Sequence, residues 1–125
     1  MKEFSTLWKK SRKPRKQRKY RLKSPMHIKQ KFVHTHMSGE LRKKYGKRSS
    51  RLRRGDKVRI IRGEFRRHEG KIDKIDLKKT RVFVNGLEVT KKDGTKKQIA
   101  IHPSNLMIID LNLDDKLRLN ALERK

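Results

Sequence analysis

Arg66 and Arg67 stand side by side in the segment Glu64–Glu69, bracketed by Gly63 and Gly70, and ten of the fifteen residues from Lys9 to Lys23 are Lys or Arg. Both arrangements suit one chemistry, the holding of phosphate. A guanidinium is planar and donates in a fork that matches two phosphate oxygens, and a run of cations gains affinity with every condensed counterion it displaces from a polyanion. Two flanking glycines let a backbone come close to a surface, or simply relieve strain in a loop that needs left-handed residues; residue type alone leaves both roles open. His68 and Lys71 extend the same basic loop, and Lys47, Arg48, Arg51, Arg53 and Arg54 lead into it.

Other chemistries are poorly supplied. The chain has no Cys, which removes disulfides, thiol nucleophiles and thiolate zinc sites. His27, His34 and His36 have neither a cysteine nor a nearby carboxylate to complete a metal site, and Asp110–Asp115 lacks the spacing of a calcium loop. The serines lie in basic or turn contexts with no His–carboxylate partner recognisable by pattern, so no enzyme, cofactor or small-molecule substrate is expected. No apolar run is long enough for a membrane span or a signal-peptide core, so a soluble intracellular protein without membrane insertion is expected.

Composition points the same way. Of the 125 residues, 31% are hydrophobic and 42% charged, with a formal net charge of +26. A compact body with that charge repels itself, and a polyanion is the partner that supplies the missing negative charge. The charge is uneven: Met1–Arg54 holds 21 basic and 2 acidic residues, Gly55–Lys125 holds 18 and 11. The expected division is therefore a basic extension over 1–54, a β-domain over 55–111 and a C-terminal helix over 112–125.

Within the extension, Lys9–Lys23 shows no hydrophobic period and contains Pro14, and it is expected to be disordered in isolation, as is most of 1–54. Extended, fifteen residues would reach about 50 Å between RNA helices. Ser24–Phe32 repeats at neither helix nor strand spacing. Tyr20, inside the basic run, is a candidate for stacking on an unpaired base. One short helix is predicted near 38–45, capped by Ser38 and ended by Gly46. After Arg54 the pattern turns to short β-segments. Val58 and Ile60 alternate with basic residues, Ile72 and Ile75 break alternation and predict a bulge or bend, and Val82 and Val84 share a face. Asn85-Gly86 predicts a turn, Asp93-Gly94 a hairpin, and His102-Pro103-Ser104 a turn before the apolar strand Met107–Leu111. Asn112 is a candidate cap for the last helix.

The stretch GDKVRIIRGEFRRHEGKIDKI, Gly55–Ile75, resembles the KOW motif, in which an apolar strand, Gly, a basic loop, Gly and a second apolar strand follow one another. With GELRKKYGKRSSRLRRGD before it, DGTKKQIAIHPSNLMIIDLNLDD after it and the closing LERK, the chain resembles the archaeal and eukaryotic form of the large-subunit ribosomal protein family called L twenty-four in bacteria and L twenty-six in eukaryotes. The resemblance implies a mainly β fold, a small SH3-like (KOW) barrel behind a long basic N-terminal extension, with one short helix before the barrel and a short C-terminal helix. It also implies a structural constituent of the large ribosomal subunit, in the cytoplasm, that binds large-subunit rRNA near its 5′ end, acts early in assembly and sits beside the polypeptide exit tunnel among neighbouring ribosomal proteins. A KOW-type transcription factor is the alternative, although the region before the motif is too basic and apolar-poor to be the domain such factors place there; a membrane-surface protein is a third. The residues expected at RNA are Lys9, Lys10, Arg12, Lys13, Arg15, Lys16, Arg18, Lys19, Tyr20, Arg21 and Lys23 in the extension, Lys47, Arg48, Arg51, Arg53 and Arg54 before the barrel, and Arg66, Arg67, His68 and Lys71 in the loop, with Gly63 and Gly70 structural.

Overall fold

A computed structural model of the chain describes residues 4, 5, 7 and 10–124. Period-two patterning builds most of it. In β3 (Lys57–Ile60) Val58 and Ile60 point inward while Lys57 and Arg59 stay in water, and in β7 (Leu106–Asp110) Leu106 and Ile108 do the same. With β1 (His34–Met37), β2 (Ser49–Arg51), β4 (Glu69–Asp76), β5 (Arg81–Thr90) and β6 (Lys96–Ile101) they form one seven-stranded sheet in the order β2-β1-β7-β3-β4-β5-β6, barrel-like in its wrapping about a single core. Every neighbouring pair is antiparallel except β1 and β7.

The core draws on both sides of Gly55. Val33, Met37 and Leu52 pack with Val58, Ile60, Ile72, Val82, Val84, Leu87, Ile101, Leu106, Ile108, Leu111 and Leu122. Part of the basic segment before Gly55 thus joins the sheet: β1 pairs with β7, and Thr35 Oγ1 donates to the Pro103 carbonyl at 2.7 Å. A four-residue strand, HTHM, with only two inward side chains carries too little pattern to announce itself.

Helices also occupy the extension. α1 spans Pro14–Lys23, α2 Met26–Lys29, and a 3-10 turn covers Gln30–Phe32. Pro14 does not break α1 because it takes the first helical turn, where its missing N–H has no intrahelical partner to lose, and the Lys, Arg and Gln that follow are good helix formers. Ser24 closes α1, its N–H and Oγ both donating to the Tyr20 carbonyl. α3 (Gly39–Tyr45) begins at Ser38, whose hydroxyl accepts from Leu41 N–H, and ends at Gly46 with φ +63°. α4 covers Lys116–Glu123 and is capped by Asp115, not Asn112; Asn112 Oδ1 instead accepts from Asp114 N–H in the preceding turn.

Two irregularities re-aim side chains. The β4–β5 register slips between Ile72 and Lys74, so Ile72 faces Val84 and Ile75 faces Val82, both toward the core. Asn85-Gly86 is not a turn: β5 runs through it, and the β5–β6 register slips between Phe83 and Glu88 with Gly86 at φ +83°. The inward set thereby changes phase from Val82 and Val84 to Leu87. Turn dipeptides and bulges share the need for positive φ, which is why the dipeptide misleads. Asp93-Gly94 does close the β5–β6 hairpin, with Lys91 N–H bonded to the Thr95 carbonyl.

Candidate nucleic-acid interface

The loop between β3 and β4 is folded onto itself by backbone bonds. Ile60 N–H donates to the His68 carbonyl and Arg67 N–H returns to the Ile60 carbonyl, each at 2.9 Å, while His68 N–H bonds the Phe65 carbonyl. Phe65 packs against the core and anchors the loop, leaving Arg66 and Arg67 exposed at its tip. Gly63 has φ +101°, but Gly70 does not adopt a left-handed conformation; the second such residue is Arg67, at φ +74°. Gly70 is required for close approach: a Cβ there would lie 2.7 Å from Val84 Cγ1 and 2.8 Å from the Asn85 carbonyl oxygen. His68 is half-buried, its ring beside Gly86.

Glu69 could have neutralised the tip, and it is occupied elsewhere. It accepts from Arg59 Nε at 2.8 Å and lies 3.4 Å from Lys57 Nζ. The Arg59 bond, then Lys57, hold its carboxyl below the usual range despite the opposing effect of desolvation. Among the described residues Arg66, Arg67 and Lys71 form no ion pair, so their charge is left for a partner.

The residues before the barrel divide by partner. Arg53 pairs with Asp115, and Lys47 donates to the Ala121 carbonyl, so both help to seat α4. Arg51 donates from Nη1 to Gln30 Oε1 at 3.0 Å, while its Nε is buried without a partner. Arg54 is open to solvent, 3.8 Å from Asp73, and Arg48 is exposed. In the extension Lys10, Arg12, Lys13, Arg15, Lys16, Arg18, Lys19, Arg21 and Lys23 are all exposed, and α1 buries no residue. Lys9 lies outside the described residues. Tyr20 meets Phe4 at 4.8 Å and Phe32 at 6.3 Å between ring centroids, and Arg21 lies 5.9 Å over the Phe32 ring, so Tyr20 belongs to an aromatic cluster.

Two features escape sequence reasoning. Asp56, wholly buried, receives Arg118 Nη1 at 2.6 Å and Nη2 at 2.8 Å, together with the N–H groups of Arg53 and Asn112. This bond network ties the entry of the KOW-like segment to α4, across a separation that no local pattern reports. The second is a cleft of about 430 Å³ where α1 faces the β4–β5 turn, lined chiefly by Arg18, Arg21, Leu22, Phe32, Lys78 and Lys79. The run DLKKTR at 76–81 signals a basic turn, but only the fold brings it to α1.

The described residues contain no group of three His, Cys, Asp or Glu able to hold a metal, and no helix long and apolar enough to cross a membrane. What remains is a cationic surface with ordered positions. Comparison with known proteins says which family carries it: residues 11–125 match the model of the ribosomal protein family described as L26 in eukaryotes and L24 in archaea. The chain belongs to that family. Large ribosomal subunit protein uL24 of Methanocella arvoryzae is 47% identical over 115 residues, covering 92% of this chain and 93% of its own. The protein of the same name from Methanosphaera stadtmanae is 44% identical over 115 residues, covering 92% and 98%. The match takes in the barrel, both flanking helices α3 and α4, and the basic helix α1.

Proposed function

We propose that the chain is a structural constituent of the large ribosomal subunit in the cytoplasm and that it binds large-subunit rRNA near the 5′ end, early in assembly, at a seat beside the polypeptide exit tunnel and against neighbouring subunit proteins. Membership of the family and the names of the relatives support the first half of this reading. The observation that carries the RNA half is the set of exposed Lys and Arg on α1 and the β3–β4 loop that have no carboxylate partner among the described residues. Such a surface is costly to the isolated protein through self-repulsion and is matched by phosphate, each phosphate neutralised releasing a counterion. Backbone hydrogen bonds to Ile60 and Phe65 fix the path of the loop that carries Arg66 and Arg67, and α1 adds a second phosphate-binding arm on the same chain; once one arm is bound, the other binds with a smaller entropic cost than it would on a separate chain. Co-sedimentation and crosslinking on purified subunits test this: crosslinks from α1 and the loop to rRNA of the large subunit are expected, and recovery of the protein only in ribosome-free fractions would contradict it.

A further inference from the structure

The cleft between α1 and the β4–β5 turn combines features that plain backbone binding does not need. Its wall carries four cations, Arg18, Arg21, Lys78 and Lys79, and no carboxylate, so an anion is the ligand its charge fits. It also presents Phe32 and Leu22. Leu22 is 76% exposed on a helix that buries nothing, so it serves no core. A phosphate alone gains nothing from these apolar groups, whereas a base beside its phosphate does. Arg21, over the Phe32 ring, adds a guanidinium plane on which a base can also stack. A volume of about 430 Å³ falls within the range of small-ligand sites.

Two details at the rim agree. Thr80, a β-branched residue, is held at φ +54°, where Gly or Asn would be unstrained, and such residues concentrate at ligand-binding positions. His102 has its Nδ1 engaged by Ser104, 2.8 Å from Oγ and 3.3 Å from the backbone nitrogen, so Nε2 is the ring nitrogen left for a ligand.

We propose that this cleft seats one unpaired RNA nucleotide, its base against Phe32 and Leu22 and its phosphate among Lys78, Lys79 and Arg18. The assignment rests on the RNA-binding reading above but adds to it a preference for an unpaired base. The test is a fluorescence titration of the full chain with two RNA hairpins of the same stem, one carrying a single bulged nucleotide and one fully paired. Wild-type protein is expected to bind the bulged hairpin about tenfold more tightly, the lower part of the stacking range. Leu22→Ala and the double variant Lys78→Ala/Lys79→Ala should reduce that ratio toward one, while Lys43→Ala/Lys44→Ala on α3 should weaken both hairpins and leave the ratio unchanged. Thermal melting of each variant confirms that the fold is kept. Equal wild-type affinity for the two hairpins, or a preference that survives the cleft variants, would overturn the cleft assignment while paired-hairpin binding upholds the general one. Failure to bind either hairpin would overturn both.

Discussion

Arg67 occupies the left-handed region at φ +74° with its side chain in solvent, a position where glycine would be the unstrained choice. The strain has a use if the guanidinium is needed at the tip. Arg67→Gly should therefore separate two roles: stability of the free protein should hold or rise by no more than about 1 kcal/mol, since relief of strain is partly offset by the freedom glycine gains in the unfolded chain, while rRNA affinity falls. Chemical denaturation and filter binding on the same variant read both. Gly70 predicts the converse. Its backbone is not left-handed, but a methyl group would press on Val84 and the Asn85 carbonyl, so Gly70→Ala should cost about 1–3 kcal/mol by overpacking. Denaturation midpoints check it; a Gly70→Ala barrel as stable as wild type would mean the β4–β5 contact can open without cost. From the sequence both glycines look alike, flanking a basic loop. Their difference lies in what stands across the sheet, which is information about β5 and not about the loop.

At the level of elements, α4 is held to the barrel by the buried Asp56–Arg118 pair, which also closes on Asn112 and Arg51 carbonyls. Removing one member leaves a buried charge unmatched, so Asp56→Ala should cost about 3–5 kcal/mol, and amide exchange across Lys116–Glu123 should rise before the strands open. The turn after β6 carries a pH dependence. His102 is held below its ordinary value of 6.5 by burial, then by Arg81 and Arg21, and His36 by burial, then by Arg42 and Arg48. In each case the unfolded chain takes up a proton at a higher pH than the folded one. The contribution to stability is complete well above 6.5 and is lost as pH falls through 6.5 toward the lower folded value. The melting temperature of the free protein should thus drop between about pH 7 and about pH 5, and His102→Asn, which keeps an acceptor for Ser104 N–H, should shrink the drop; a flat profile in wild type would contradict this. Strands with clean alternation, such as Val58–Ile60, and the caps Ser38 and Gly46 were legible because a few adjacent residues decide them. β1, the Asn85-Gly86 bulge and the Asp56–Arg118 clamp were not, because each depends on a partner far along the chain.

For the whole molecule, charge was the most legible property and position the least. A net +26 announces a polyanion, and the exposed cations of α1 and the β3–β4 loop are where much of it goes. Yet Arg51, Arg53 and Lys47, as basic in sequence as their neighbours, are bound within the fold, and the Lys78–Lys79 turn joins the surface only because the sheet carries it to α1. Direct contact between this cationic surface and rRNA phosphates would give the charge its counterpart. Its most direct test is the affinity of the full chain for large-subunit rRNA measured against salt. If six to ten phosphates are neutralised, affinity should fall by about 10³–10⁵ between roughly 50 and roughly 200 mM salt, and removing residues 1–23 should flatten the logarithmic slope by about 0.7–0.9 for each phosphate that is no longer neutralised. A shallow slope in the full chain, or a steep one unchanged by the deletion, would contradict direct phosphate contact by this surface.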